Sequence, residues 1–150
     1  MTNPLLLPTR RNKNPNAEID PLLKQAIFAS QRAIFIGRCI SIDYQTIGMQ
    51  GKNKDKLRIT YKKDGDGFQC DDVCADGFTY NFYFRNQPPP SDNTPCDLSA
   101  LHKRVMSLLN QLKGEIYACK MDNLYMSVKL SKVCKTSKSK TMISGVCRQK

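Results

Sequence analysis

Apolar and polar residues alternate along this chain in patterns typical of helices and strands. The pair Asp20-Pro21 is a good helix start, and apolar residues then recur with helical spacing over residues 20–35. The apolar run at residues 39–43 predicts a strand that ends in Asp43, with a weaker continuation to Gly48. Residues 20–43 are therefore predicted to form a helix followed by a strand.

The middle of the chain contains its strongest hairpin signal. Asp76-Gly77 is a typical two-residue hairpin turn between strand-like segments at residues 68–75 and 78–85. A short strand at residues 57–61 and a turn at residues 64–67 precede this hairpin. The alternation in the second hairpin strand predicts that four aromatic residues share one face: Phe78, Tyr80, Phe82 and Phe84.

The last third of the chain alternates between helix and strand. A helix capped by Ser99 and closed by Gly114 comes first, and a strand at residues 116–122 follows. A helix at about residues 123–135 is predicted to start at once, before a final strand at residues 141–147. Early strands followed by alternating helices and strands predict an α/β fold, with helices packed on a mixed sheet.

Charge is distributed unevenly along the 150 residues. Lys and Arg number 24 against 13 Asp and Glu, which gives a net charge of +11 and a pI of about 9.4. Residues 1–63 carry +8, residues 64–100 carry −6 and residues 101–150 carry +9. We interpret residues 1–18 as a flexible basic arm and residues 19–150 as one domain. This positive charge indicates an anionic partner. Nucleic acid is the first candidate and a membrane surface is the second. No apolar stretch approaches the roughly 20 residues that span a bilayer, so no membrane-spanning segment is expected. With nucleic acid as the first candidate, no membrane partner is predicted.

Basic side chains are concentrated in two segments, at residues 52–63 and 129–140. Most such clusters are solvent-exposed surfaces without a binding role. Here, however, the middle of the chain is acidic, so the positive charge is concentrated in particular segments rather than distributed evenly along the sequence. Contacts to phosphates would give affinity without sequence preference. The candidates for contact with the DNA backbone are Lys52, Lys54, Lys56, Arg58, Lys62, Lys63, Lys129 and Lys132.

Seven cysteines are scattered without the spacing of a disulfide framework. Since no secretory signal is visible, we interpret them as reduced thiols of an intracellular protein. Cys70, Asp72 and Cys74 would face one side of a strand. A structural zinc on the two cysteines is an alternative, but a zinc site needs about four ligands and no further matched ligands are evident.

Two aspartates, Asp43 and Asp122, each end a predicted strand. Chemistry in open α/β sheets collects just outside the carboxyl ends of strands, and paired carboxylates there can hold metal ions over a phosphodiester. The alternative is a purely structural role, with Asp43 as a turn residue and Asp122 as a helix N-cap, because aspartate suits both positions. Asp66 or Asp72 would join them only if the hairpin folded over the cleft.

Four segments, in the same order, resemble piggyBac-type transposases, and the match covers about residues 20–150. They are SIDYQTIGMQG (residues 41–51), DGDGFQCD with FYFRNQP (64–71 and 82–88), MDNLY (121–125) and GVCR (145–148). The element order is also that of the ribonuclease H-like fold through its fifth strand. The resemblance therefore implies an incomplete ribonuclease H-like mixed sheet of about five strands with flanking helices.

The resemblance also implies metal-dependent DNA cleavage and strand transfer by three aspartates that bind two Mg²⁺ ions. Asp43 and Asp122 match the first two, as catalytic residues and metal ligands. The third lies beyond the fifth strand in the family, where this chain has ended. Tyr44 stands where the family often has an acid, and the cysteine-rich DNA-binding module of the family is missing.

We therefore expect a truncated transposase-derived domain that is inactive by itself and whose Mg²⁺ binding is an ancestral property. Its implied partner is DNA, its implied location is the nucleus, and the resemblance to transposases also implies a homodimer. The alternative is a non-catalytic DNA-binding protein that retains the basic scaffold.

Overall fold

A computed structural model of the chain describes residues 16, 19–48, 50–60, 65–88, 97–112, 117–137 and 141–146. Most of the predicted basic arm lies outside these residues, as do Lys62, Lys63 and Gly114. The described elements are, in chain order, α1 (Asp20–Ala33), β1 (Cys39–Gly48), β2 (Leu57–Arg58), β3 (Asp66–Ala75), β4 (Phe78–Phe84), α2 (Ala100–Asn110), β5 (Ala118–Met121), α3 (Val128–Thr136) and β6 (Met142–Gly145).

The six described strands form one mixed sheet in the order β2-β3-β1-β5-β6, and β4 also pairs with β3. β1 is antiparallel to β3 and parallel to β5, and β5 is parallel to β6. Parallel neighbours need a crossover connection, which α3 supplies between β5 and β6. The predicted α/β fold with a mixed sheet is confirmed, and the sheet has six strands rather than about five.

The hydrophobic core lies against one face of the sheet. Alternate strand residues point to this face, so β1 contributes Ile40 and Ile42, and β3 contributes Val73 and Ala75. The core residues that the helices α2 and α3 supply are Val105, Met106, Leu109, Leu130 and Cys134.

None of the described helices is long and apolar enough to cross a membrane.

The predicted hairpin between β3 and β4 is confirmed. Asp76 and Gly77 have φ angles of 49° and 83°, the positive values that a type I′ turn requires at both central residues. Aspartate tolerates this left-handed region better than most residues, and glycine adopts it freely. The turn therefore follows directly from the two residue types.

The predicted single aromatic face of β4 is wrong because the pairing register shifts next to Val73. Val73 pairs with Asn81, whereas the next residue of β3 pairs with Thr79, so Tyr80 is the extra residue of a β-bulge. Tyr80 packs in the core. Phe84, by contrast, makes edge-to-face contacts with Phe68 and Phe82.

Three boundaries differ from the sequence prediction. β2 ends at Arg58, and β3 starts at Asp66, inside the predicted turn. The third helix starts only at Val128, because Ser127 is its N-cap and its side chain accepts the amide hydrogen of Leu130 at 3.0 Å. The prediction that a helix follows Asp122 at once is therefore wrong, as is the alternative that Asp122 caps it, because a turn separates Asp122 from the helix.

Gly67→Ala should destabilise the fold by about 1–3 kcal/mol, the usual cost of overpacking. A Cβ at Gly67 would collide with the backbone oxygen of Ile47 on β1, and backbone cannot move aside easily. Gly48, its cross-strand partner, is the matched control because a Cβ there meets nothing within 4 Å. Urea unfolding should separate the two variants; equal midpoints would contradict this close approach.

Candidate functional site

Asp43 and Asp122 occupy neighbouring positions where β5 ends. The parallel register pairs Ile42 with Met121 as its last pair, and each aspartate is the next residue in its chain. Asp43 lies in the middle of β1 rather than at its end, because β1 continues to Gly48 by pairing with β3. The structure thus brings the two predicted site residues to the same point of the sheet.

The two aspartates share one local geometry. The carboxylate of Asp43 accepts the amide hydrogen of Tyr44 at 2.7 Å, and that of Asp122 accepts the amide hydrogen of Asn123 at 2.6 Å. Both residues are exposed. In the part of the chain that the structure describes, no three His, Cys, Asp or Glu side chains are grouped so that they could hold a metal ion.

Asp72 lies directly opposite Asp43, on β3. Residues paired directly across an antiparallel ladder point to the same face of the sheet. Asp72 is only 5% exposed, and its Oδ2 accepts hydrogen bonds from Gln45 at 3.1 Å and from Cys74 at 3.3 Å. Burial raises the pKa of Asp72, and the charge of Asp43 adds to that rise. The expectation that this acid could approach only by hairpin folding is wrong, because β3 itself adjoins β1.

A buried ion cluster lies on the opposite, core-facing side of β3. Asp71 is fully buried and accepts hydrogen bonds from Arg85 at 2.7 Å, from Arg104 at 3.1 Å and from the hydroxyl of Tyr125 at 2.8 Å. Burial and the neighbouring carboxylate raise the pKa of Tyr125, which keeps its hydroxyl a donor. Arg85 also donates to Gln69 at 3.0 Å. The buried carboxylate therefore has three charged or polar donors.

This ion cluster connects to the backbone beside both site aspartates. Arg85 lies over the ring of Tyr44, the residue after Asp43, at 5.2 Å from the ring centroid. Tyr125 donates its amide hydrogen to the carbonyl oxygen of Asp122 at 3.0 Å. Sequence reasoning missed the cluster. The available signal was a charged residue, Asp71, two positions before the apolar and buried Val73 on the same face of the strand.

The described basic candidates divide into paired and unpaired residues. Lys56 and Arg58 form ion pairs with Asp66 at 3.4 and 3.7 Å. Lys52 and Lys54 lie on the same loop beside this pair, are exposed, and form no ion pair with any described residue. On α3, Lys129 pairs with Asp97 at 2.5 Å, and Lys132 is exposed. Among the described residues, Lys52 and Lys54 are thus the loop lysines without an ion pair.

The thiols of Cys70 and Cys74 are hydrogen-bond donors. Cys70 donates to the carbonyl oxygen of Gln45 at 3.8 Å, and Cys74 donates to Asp72. Burial raises the pKa of Cys70 to about 12 and that of Cys74 to about 11. A structural zinc needs about four ligands, and the described residues contain no group of three His, Cys, Asp or Glu side chains that could hold a metal ion, which disfavours the structural-zinc alternative. The described cysteines are all free.

Comparison with known proteins identifies the family. A family model described as "Transposase IS4" matches residues 5–150. The chain belongs to this transposase family. A search of curated proteins finds no match.

A solved structure shares the fold of this transposase-family chain. It is the cryo-EM structure of a piggyBac transposase synaptic complex with hairpin DNA, with a TM-score of 0.81 and 19% sequence identity. The match covers 99% of this chain and 31% of the other, so the chain spans about a third of that transposase. The ribonuclease H-like architecture and the piggyBac-type resemblance are thereby confirmed.

Arg85→Met should destabilise the fold by about 3 kcal/mol, because it removes one partner of a buried carboxylate. The side chain of Arg85 is 20% exposed and that of Asp71 is not exposed at all. Arg58→Met, which breaks an arginine–aspartate pair with a 79% exposed arginine, is the matched control and should cost about 0–1 kcal/mol. Chemical unfolding of both variants tests this ordering; a costlier Arg58→Met would contradict it.

Proposed function

We propose that this chain is a DNA-binding part of a transposase catalytic domain in which Asp43 and Asp122 hold a divalent metal ion. One observation carries the proposal: the register of β1 and β5 places these two acids side by side at the point where β5 ends. That position is where ligands bind in open α/β sheets. Family membership supports divalent-metal chemistry in general, and we propose Mg²⁺ as the ion.

The residues present suit a hard cation. Both side chains are exposed carboxylates, and Mg²⁺ is commonly bound through one or two carboxylates while it keeps several waters. A bound ion at such a site would stabilise negative charge on a phosphoryl oxygen. The protein's own contribution is to fix the two carboxylates, which the hydrogen bonds from Tyr44 and Asn123 do.

The β1–β2 loop is the proposed contact for the DNA backbone. Lys52 and Lys54 are exposed cations without an ion pair among the described residues, and Asp66 holds Lys56 and Arg58 in place beside them. Exposed lysines can neutralise phosphates without reading sequence. The structural neighbour is described as a complex with DNA, which supports the same partner. Lys129 and Lys132 on α3 form the second proposed contact.

A non-catalytic DNA-binding role is the second candidate function. It is favoured by the same loop lysines, which need no metal to bind phosphate. Both candidate functions place the protein in the nucleus, where its DNA would lie. We also propose that it forms a homodimer, as transposases do, which light scattering at several concentrations can test.

Binding to duplex DNA should weaken steeply with salt and should not depend on sequence. Each phosphate contact contributes a slope of about −0.9 in log K against log salt. Changing Lys52 and Lys54 to Gln should therefore make the slope shallower by about 2. Lys24→Gln on α1 is the control and should leave the slope unchanged. Fluorescence anisotropy over a salt series measures both; identical slopes for wild type and the double variant would exclude this loop.

The purified chain should bind DNA without nicking it. Two-metal chemistry clamps the attacking and leaving oxygens with two ions, and Asp43 and Asp122 provide only part of that coordination. The assay is incubation with supercoiled DNA and Mg²⁺ or Mn²⁺, with Asp122→Ala in parallel. Metal-dependent nicking that disappears in the variant would show that the chain is a complete nuclease.

A further inference from the structure

Asp72 has a buried carboxylate oxygen that no described residue satisfies. Its Oδ2 accepts hydrogen bonds from Gln45 and Cys74, with Thr79 at 3.5 Å, but its Oδ1 is buried and accepts none from the described part of the chain. Burying a carboxylate oxygen without a partner is costly, and natural structures rarely leave one so. The buried Oδ1 of Asp72 therefore indicates a place where a ligand can bind.

The surroundings of Asp72 indicate a cation. The residue directly opposite on β1 is a second carboxylate, Asp43, on the same face of the sheet. Gln45, two residues further along β1, reaches Asp72 across the same face, which confirms that these side chains share it. Two like charges on neighbouring strands repel unless something positive lies with them. The described donors to Asp72 are neutral groups.

We propose that Asp72 and Asp43 together bind one divalent cation, so that β3 supplies a carboxylate to the metal site. The sheet order β3-β1-β5 puts Asp72, Asp43 and Asp122 on three successive strands or directly after them, with Asp43 in the centre. Asp43 is exposed and gives the ion access, whereas Asp72 forms the buried side of the site. This inference rests on the proposed function for the role of Asp43 as a ligand.

Oxygen ligands of this kind suit Mg²⁺ and Mn²⁺. Asp72 Oδ1 is buried, so a side chain must move to admit the ion, and Gln45, whose amide donates to Oδ2 of the same carboxylate, is the side chain that we expect to move. Gln45 is exposed, and exposed side chains change rotamer within nanoseconds. Cation entry therefore needs no rearrangement of the strands.

The test is Mn²⁺ binding to the 150-residue chain, measured from the electron paramagnetic resonance signal of the free ion. Four variants are compared with wild type: Asp43→Asn, Asp72→Asn, Asp122→Asn and Asp76→Asn. The last removes one carboxylate in the hairpin turn, where asparagine adopts the same left-handed conformation. Asp72→Asn should weaken Mn²⁺ binding at least about tenfold, the lower end of the effect of losing even a supporting group. Asp76→Asn should bind as wild type does.

The pattern across the variants separates this inference from the proposed function. Loss of binding in Asp43→Asn and Asp122→Asn, with Asp72→Asn unchanged, overturns the inference and leaves the Asp43–Asp122 site standing. Loss in Asp43→Asn and Asp72→Asn, with Asp122→Asn unchanged, supports the inference and overturns the proposed Asp43–Asp122 site. Absence of Mn²⁺ binding by wild type overturns both.

A measurement on the wild-type chain removes any dependence on the folding of Asp72→Asn. Diamagnetic Mg²⁺ should shift the side-chain carboxyl ¹³C resonances of Asp72 and Asp43 and leave that of Asp76 unchanged. Shifts at Asp43 and Asp122 without a shift at Asp72 would overturn the inference. In EDTA, Asp72→Asn should melt at or above the wild-type temperature, because the substitution removes a buried charge whose Oδ1 has no described donor.

Discussion

The buried carboxylate of Asp71 is the interaction on which the arrangement of this domain depends. A fully buried charge is tolerated only when its lone pairs are satisfied, and here the donors come from three separate elements. Arg85 follows β4, Arg104 is on α2, and Tyr125 belongs to the turn after β5. These segments must meet at one point of β3, which fixes the hairpin, the helix and the turn relative to one another.

The same cluster sets the backbone beside the candidate metal site. The ring of Tyr44 lies against the guanidinium group of Arg85. Tyr125 donates one hydrogen bond from its hydroxyl to Asp71 and another from its backbone amide to the carbonyl oxygen of Asp122. Tyr44 directly follows Asp43, and Tyr125 lies three residues after Asp122, so each contact holds the backbone close to a site aspartate. A buried, hydrogen-bonded support on one face of the sheet therefore positions carboxylates that are exposed beside it. Such support is how functional side chains are held in place while remaining accessible.

Electrostatics on the two faces of β3 differ in kind. Asp71 faces the core and is balanced by two arginines, whereas Asp72, the next residue, faces the other side with neutral donors and a second acid opposite. Strand alternation places consecutive residues on opposite faces, so two adjacent aspartates serve entirely different environments. One stabilises the fold, and the other has an unsatisfied oxygen that we assign to a cation.

The sequence by itself determined the element order, the hairpin turn and the two strand-associated aspartates, because these depend on local periodicity, on the left-handed preference of Asp76-Gly77 and on family motifs. It misplaced the helix after Asp122 and the aromatic face of β4, since a Ser127 cap and a β-bulge at Tyr80 overrode the local pattern. It could not show that Asp72 lies opposite Asp43 or that Asp71 gathers Arg85 and Arg104. Those pairings join residues far apart in the chain, and only the strand register and the packing of α2 on the sheet decide them.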